Sequence, residues 1–197
     1  MLLSKKIILI AFGLTGASSL VYEIAWLKSL AYFFGTTAFA LSGVVSVFLL
    51  GLAFGSYIGG QHAGLLDKKV FSLLLFALGL YGFISLFLIN NLQQFYILLS
   101  GGLYSALLLA FLVLIIPTII IGAIFIIVLK LVSDFQTVGI DSGVAYSVEL
   151  LGSAIGVLIA SFILLPLYGI SLTVAFAAGL NVISGILVYA LVSDGAL

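Results

Sequence analysis

Long apolar runs separated by short polar breaks make up this chain, and the runs lack period-two alternation. Runs of about 20 such residues suit helices, because a helix of that length crosses about 30 Å of hydrocarbon. The first run extends from about Ile7 to the late twenties or Phe34, and Phe33–Thr37 reads as a tight turn. A second covers about Ala38 to Gly60, followed by a polar stretch, Gln61 to Lys69. A third covers about Val70 to Ile89, followed by the polar loop Asn90 to Gln94. From about Phe95 to Val132 the chain is apolar and broken only by Pro117. As one helix this run would measure about 55 Å, too long for a single crossing. Proline suits the first turn of a helix and disfavours helix at the residue before it. We therefore expect two short spans meeting near Pro117–Thr118, with a kinked single span or a re-entrant pair as the alternatives. Ser133 to Asp141 is a polar connection, a sixth helix covers about Gly143 to Leu165, and Pro166–Gly169 is a short turn. A seventh helix covers about Ile170 to Val192. The expected fold is an all-α, polytopic transmembrane helical bundle of about seven spans, six if the Pro117 region is one kinked span. It forms a single integral membrane domain over residues 1–197.

Composition supports the membrane reading. Hydrophobic residues make up 65% of the chain and charged residues 6%, with a mean hydropathy of +1.51. A soluble surface carries about a quarter or more charged residues, whereas a lipid-facing surface needs none. A net charge of zero leaves no basic face for phosphate contacts, so nucleic acid is not an expected partner. The absence of Cys removes thiolate metal sites and disulfides, and a single His makes a haem or copper site improbable; no cofactor is expected. Lys5 and Lys6 precede an apolar stretch as in a signal peptide. The run continues to Ala25, too long for a cleaved segment, and reads as a retained first helix.

Orientation follows from the lysines, since there is no Arg. The Lys5/Lys6 and Lys68/Lys69 pairs are two spans apart and therefore share one side, the cytoplasmic one by the positive-inside rule. Seven spans would leave Lys130 on the outer side; a kinked single span at Pro117 would bring it inside. The N-terminus is expected in the cytoplasm, with the lipid bilayer as the main partner.

The polar residues inside these runs are the candidates for chemistry. A carboxylate in hydrocarbon needs a partner or the loss of its charge, so Glu23 and Glu149 stand out. Under seven spans both acids and Lys28 would share an outer-leaflet layer; under six spans that cluster dissolves. Five residues separate Glu23 from Lys28, which does not place them on one helix face, so Glu149 or lipid headgroups are the candidate partners of Lys28. Beside Glu23, Tyr22 and Trp26 could hold an ammonium group or form an interfacial aromatic belt with Tyr32. Asn181 suits interhelical hydrogen bonding or a site. Gly51, Gly55 and Gly59, and likewise Gly152 and Gly156, recur at four-residue spacing and mark packing faces.

Several stretches together resemble the membrane domain of spermidine synthase-like proteins of bacteria and archaea. They are Ser18 to Trp26, Phe34 to Ala38 with Leu50 to Ser56, Pro117–Thr118 with Gly122–Ala123, Leu165 to Gly169, and Leu180–Asn181. The resemblance covers nearly the whole chain. The chain departs from the family at Lys28, where Arg is usual, and after Ala123, where a second Pro is usual. It departs also at Glu149, where Asn is usual. The resemblance implies the plasma membrane of a prokaryote and a polyamine-like solute; the polar residues themselves make Glu23, Tyr22, Trp26, Lys28, Glu149 and Asn181 the candidates for binding a small cation. It does not imply an enzyme, because these apolar residues cannot form the family's Rossmann-type synthase domain. The alternative is an accessory subunit or anchor, docked to other membrane subunits, to a separate synthase-like protein or as a homo-oligomer.

Overall fold

The computed structural model describes residues 2–34, 38–99, 102–133 and 136–192. The described residues are helical throughout apart from short connections. Five stretches are long and apolar enough to cross a membrane, consistent with a multi-pass membrane protein. Helix α1 spans Leu2–Phe34, α2 Ala38–Gln61 and α3 Lys68–Asn90. A single 3-10 turn, Ala63–Leu65, joins α2 to α3, and the Asp67 carboxylate caps α3 by accepting from the Val70 amide at 2.8 Å. Of the tight turn expected at Phe33–Thr37, Phe33 and Phe34 belong to α1, and residues 35–37 lie outside the described residues.

Pro117 does not divide the fourth apolar run. Helix α5, Leu103–Val132, is continuous through it, so the expected pair of short spans meeting at Pro117–Thr118 is replaced by one long helix. The run breaks instead before Leu103. The stretch Leu92–Leu98, expected partly as loop, forms α4, a seven-residue helix about 10 Å long and far too short to cross. Pro117 has no N–H for the Val113 carbonyl one turn back, and that carbonyl accepts from the Tyr81 hydroxyl on α3 at 2.5 Å instead.

Helix α6 starts at Val138, earlier than expected, and runs to Ile159. A π turn, Ala160–Leu164, carries it without a gap into α7, Leu165–Leu191. Pro166 to Tyr168, expected as a turn, stay helical, and the chain reverses at Gly169 alone. Gly169 has φ +73° and ψ −177°, a region open in practice only to glycine. The 54 residues from Val138 to Leu191 are therefore two arms of a hairpin.

Helix termini meet in one layer. Lys5 pairs with Asp141 at 3.8 Å, joining the starts of α1 and α6. Lys68 Nζ donates to the Val192 carbonyl, joining the start of α3 to the end of α7. Lys130 Nζ donates to the Leu66 carbonyl at 2.6 Å, joining the end of α5 to the start of α3. Helices α1, α3 and α6 thus leave this layer, and α2, α5 and α7 return to it.

The helices pack chiefly as pairs, and small residues set how closely. Gly51, Gly55 and Gly59 of α2 lie on Thr118, Ile119 and Ile126 of α5, and Gly122 of α5 lies on Leu52. Gly152 and Gly156 of α6 lie on Gly13 and Ala17 of α1. A Cβ at Gly152 would fall 2.8 Å from the Gly13 carbonyl carbon, so glycine alone permits that approach. Both pairs are parallel. The third, α3 with α7, is antiparallel: Gly79 meets Val182, while Ser72 Oγ donates to the Gly185 carbonyl at 2.9 Å. Helix α1 lies between α6 and α7 and joins the pairs.

Replacing Gly122 with leucine drives a side chain into the Leu52 backbone. The expected loss of stability is about 1–3 kcal/mol, from overpacking. Gly60→Leu, where an added Cβ meets nothing, leaves stability unchanged within error. Unfolding of the purified protein in graded denaturing detergent checks both.

Candidate functional site

Two polar assemblies lie inside the bundle, on different faces of α1. The first joins α1 to α3 and α7. Tyr22 and Trp26 stack with ring centroids 4.8 Å apart, and Tyr81 meets Trp26 edge-on at 6.3 Å. Trp26 Nε1 donates to Ser85 Oγ at 3.1 Å, and Ser85 Oγ donates in turn to the Gly82 carbonyl at 2.7 Å. Tyr22 donates to the Leu78 carbonyl at 3.4 Å, and Tyr81 to the Val113 carbonyl on α5 at 2.5 Å. Ser18 Oγ donates to Asn181 Oδ1 at 2.8 Å, while Asn181 Nδ2 donates to the Ala177 carbonyl at 3.2 Å. Tyr22, Trp26 and Asn181 are fully buried. With donors matched and ring faces covered, this assembly has the character of interhelical glue. Neither ring is presented to Glu23.

The second assembly is a pocket of about 320 Å³ between the α1/α6 and α2/α5 pairs. Phe12, Phe48, Leu52, Ile121, Ile124 and Phe125 supply apolar walls, and Thr15, Ser19, Ser56, Tyr146 and Glu149 the polar groups. Several of these groups are already used. Thr15 Oγ1 donates to the Ala11 carbonyl at 2.8 Å, and Ser56 Oγ to the Gly122 carbonyl at 3.2 Å. Tyr146 meets Phe125 edge-on, with ring centroids 6.1 Å apart.

Glu149 and Ser19 differ from the rest. Glu149 is half-buried, accepts from Ser153 Oγ at 3.3 Å, and has no cationic partner among the described residues. It is held in place by the backbone: Gly16 on α1 leaves room for the Glu149 main chain, and a Cβ there would overlap the Glu149 carbonyl. Ser19 is 2% exposed, and its Oγ is a buried side-chain atom with no hydrogen-bond partner among the described residues. A buried hydroxyl left so costs about 1–3 kcal/mol. Most helical serines avoid that by donating to the carbonyl a turn back, as Ser29 and Ser147 do here. Sequence reasoning missed Ser19, because a serine in an apolar helix carries no mark of whether its hydroxyl is satisfied.

Glu23 lies seven residues beyond Gly16 on nearly the same face of α1, about 10 Å along the helix. It is half-buried, with no ion pair or hydrogen bond among the described residues. Lys28 is exposed near the opposite end of α1 from Lys5. The structure therefore does not gather Glu23, Lys28 and Glu149 into one layer. The cause is the continuity of α5, which makes α6 run parallel to α1 and carries Glu149 to the Gly16 level. The Tyr32 side chain lies outside the described set.

A double-mutant cycle on Ser18→Ala and Asn181→Ala tests the glue. The expected coupling is about 0.6 kcal/mol and at most about 1.7 kcal/mol, read from unfolding in detergent.

No family model, no curated protein and no solved structure matches this chain.

Proposed function

We propose that the chain crosses the bilayer six times and handles a small, cation-bearing molecule in the pocket between the α1/α6 and α2/α5 pairs. The observation that carries this reading is Glu149: a half-buried carboxylate beside a pocket, without a cationic partner among the described residues. An intramembrane acid in that situation is a natural counter-charge for a bound cation. The Tyr146 and Phe125 rings add faces to which a cation is attracted. Glu149 takes the principal role expected of Glu23, and Glu23 supplies a second acid further along α1. The membrane domain of spermidine synthase-like proteins, which the sequence resembles, makes a polyamine one member of this ligand class.

Six crossings also suit the charges. With α5 as one crossing, Lys5, Lys6, Lys68, Lys69 and Lys130 share a side, and only Lys28 lies opposite. That distribution fits the positive-inside rule with the α1 start in the cytoplasm. Topology is directly testable because the chain has no Cys. Gly139, at the α6 start, has open space around it. A Gly139→Cys variant in whole cells should resist a membrane-impermeant maleimide and react after permeabilisation. Labelling from outside would remove the reading of six crossings with the α1 start in the cytoplasm.

Uptake into proteoliposomes tests the function, using radiolabelled monoamines, diamines and polyamines. We expect Glu149→Gln to lower uptake of the accepted amine at least tenfold, with Glu23→Gln giving a smaller loss. Equal uptake by wild type and Glu149→Gln would remove Glu149 as the counter-charge.

A further inference from the structure

Resting on the reading of Glu149 as a cation site, the geometry points to a narrower ligand class: a lipophilic amine with one cationic head, entering sideways from the hydrocarbon. Three observations carry this. The first is polar capacity. Thr15, Ser56 and Tyr146 offer only neutral hydroxyl oxygens, so the groups with most to gain from a ligand are the Glu149 carboxylate, the single charge among the lining residues, and the unmatched Ser19 hydroxyl. Together they can accept from a single ammonium group. The second is the wall. Around these two groups stand Phe12, Phe48, Leu52, Ile124 and Phe125, which match an apolar body and offer no second charge. A polyamine would have to bury its further ammonium groups against those side chains, without compensation.

The third observation is access. Glu149 lies 11 residues into α6 from Val138, about 17 Å from the helix start and so near mid-bilayer in the six-crossing arrangement. Beside it, the lining residues Tyr146 and Leu150 are 50% and 46% exposed. At that depth the surroundings are hydrocarbon, so an opening of the pocket beside Tyr146 and Leu150 meets lipid tails rather than water. An amine reaches such a mouth in its neutral form, with its apolar chain among the lipid tails, and takes the proton that Glu149 carries before the amine binds, so that a neutral acid and a neutral amine become an ammonium–carboxylate pair. The volume of about 320 Å³ is at the lower end for small-ligand sites; it accommodates the head and the first part of a chain.

The test uses the full chain in lipid nanodiscs and a dodecylamine that carries a photoactivatable diazirine near its amine. After illumination, mass spectrometry maps the labelled peptides. We expect label on α1, α2, α5 and α6 at pocket-lining positions, reduced at least tenfold by Glu149→Gln and several-fold by Ser19→Ala. Excess dodecylamine should compete, and excess putrescine or spermidine should not. The matched uncharged probe, dodecanol with the same diazirine, should label the pocket weakly and without dependence on Glu149. Leu52→Trp, which fills the pocket and leaves both polar groups in place, should abolish the label. Circular dichroism and a monodisperse elution profile establish that each variant is folded. Pocket labelling that is indifferent to Glu149→Gln in a folded variant overturns the proposal. If spermidine binds in a Glu149-dependent way and the lipophilic amine does not, the narrower class falls and the cation site stands. If neither amine binds in a Glu149-dependent way, both fall.

Discussion

Close backbone approach between α1 and α6 is the contact on which the rest of the arrangement depends. Lipid is as apolar as leucine, so helices gain little from hiding hydrophobic surface from it. What holds them is short-range packing, and that requires small residues where the axes cross. Gly13 against Gly152, Ala17 against Gly156 and Gly16 against the Glu149 backbone meet this need along successive turns. The same contact places a carboxylate against α1 at a fixed height. The α2/α5 pair repeats the device with Gly51, Gly55, Gly59 and Gly122. The two pairs are each tight, and the space left between them is the pocket.

The two polar assemblies show how one helix can be both scaffold and site. On one side of α1, Ser18, Tyr22 and Trp26 satisfy their donors on α3, α7 and one another, fixing α1 within the bundle. On the other side, Gly16 and Ser19 leave space and an unmatched hydroxyl. A fully satisfied network specifies geometry, whereas unsatisfied buried groups are where a ligand has something to gain. The aromatic residues beside Glu23 in the sequence belong to the first kind. Neighbours in sequence are about 100° apart on a helix, so Tyr22 and Glu23 lie on different faces of α1.

At the layer where helix ends meet, lysines bond to open carbonyls. Lys130 reaches Leu66 and Lys68 reaches Val192, at points where the chain leaves regular helix. Such contacts satisfy main-chain oxygens that a helix end leaves without partners, and they suit the negative end of the helix dipole. They also tie the ends of α3, α5 and α7 together.

The sequence by itself determined the class of the molecule. Apolar runs of crossing length with almost no charge permit only helices in lipid, and the Gly51, Gly55 and Gly59 spacing announced a packing face before any partner was known. It also supplied the acids worth watching, Glu23 and Glu149. Tertiary structure decided the rest, at Pro117, Gly169 and Ser19. A proline within a long apolar run can end a helix or be absorbed by it; here the Val113 carbonyl that Pro117 leaves without an amide partner accepts from Tyr81 on α3, and the helix continues. That choice reversed α6 and separated Glu149 from Lys28. Gly169 could have been one more small packing residue; only its backbone angles make it the hairpin turn. Whether Ser19 is satisfied depends on groups more than a hundred residues away, and the cavity it lines lies between two helix pairs. Local sequence determines what a segment can bury; only the packed neighbours determine which polar groups are left over, because matching them is a property of the whole assembly.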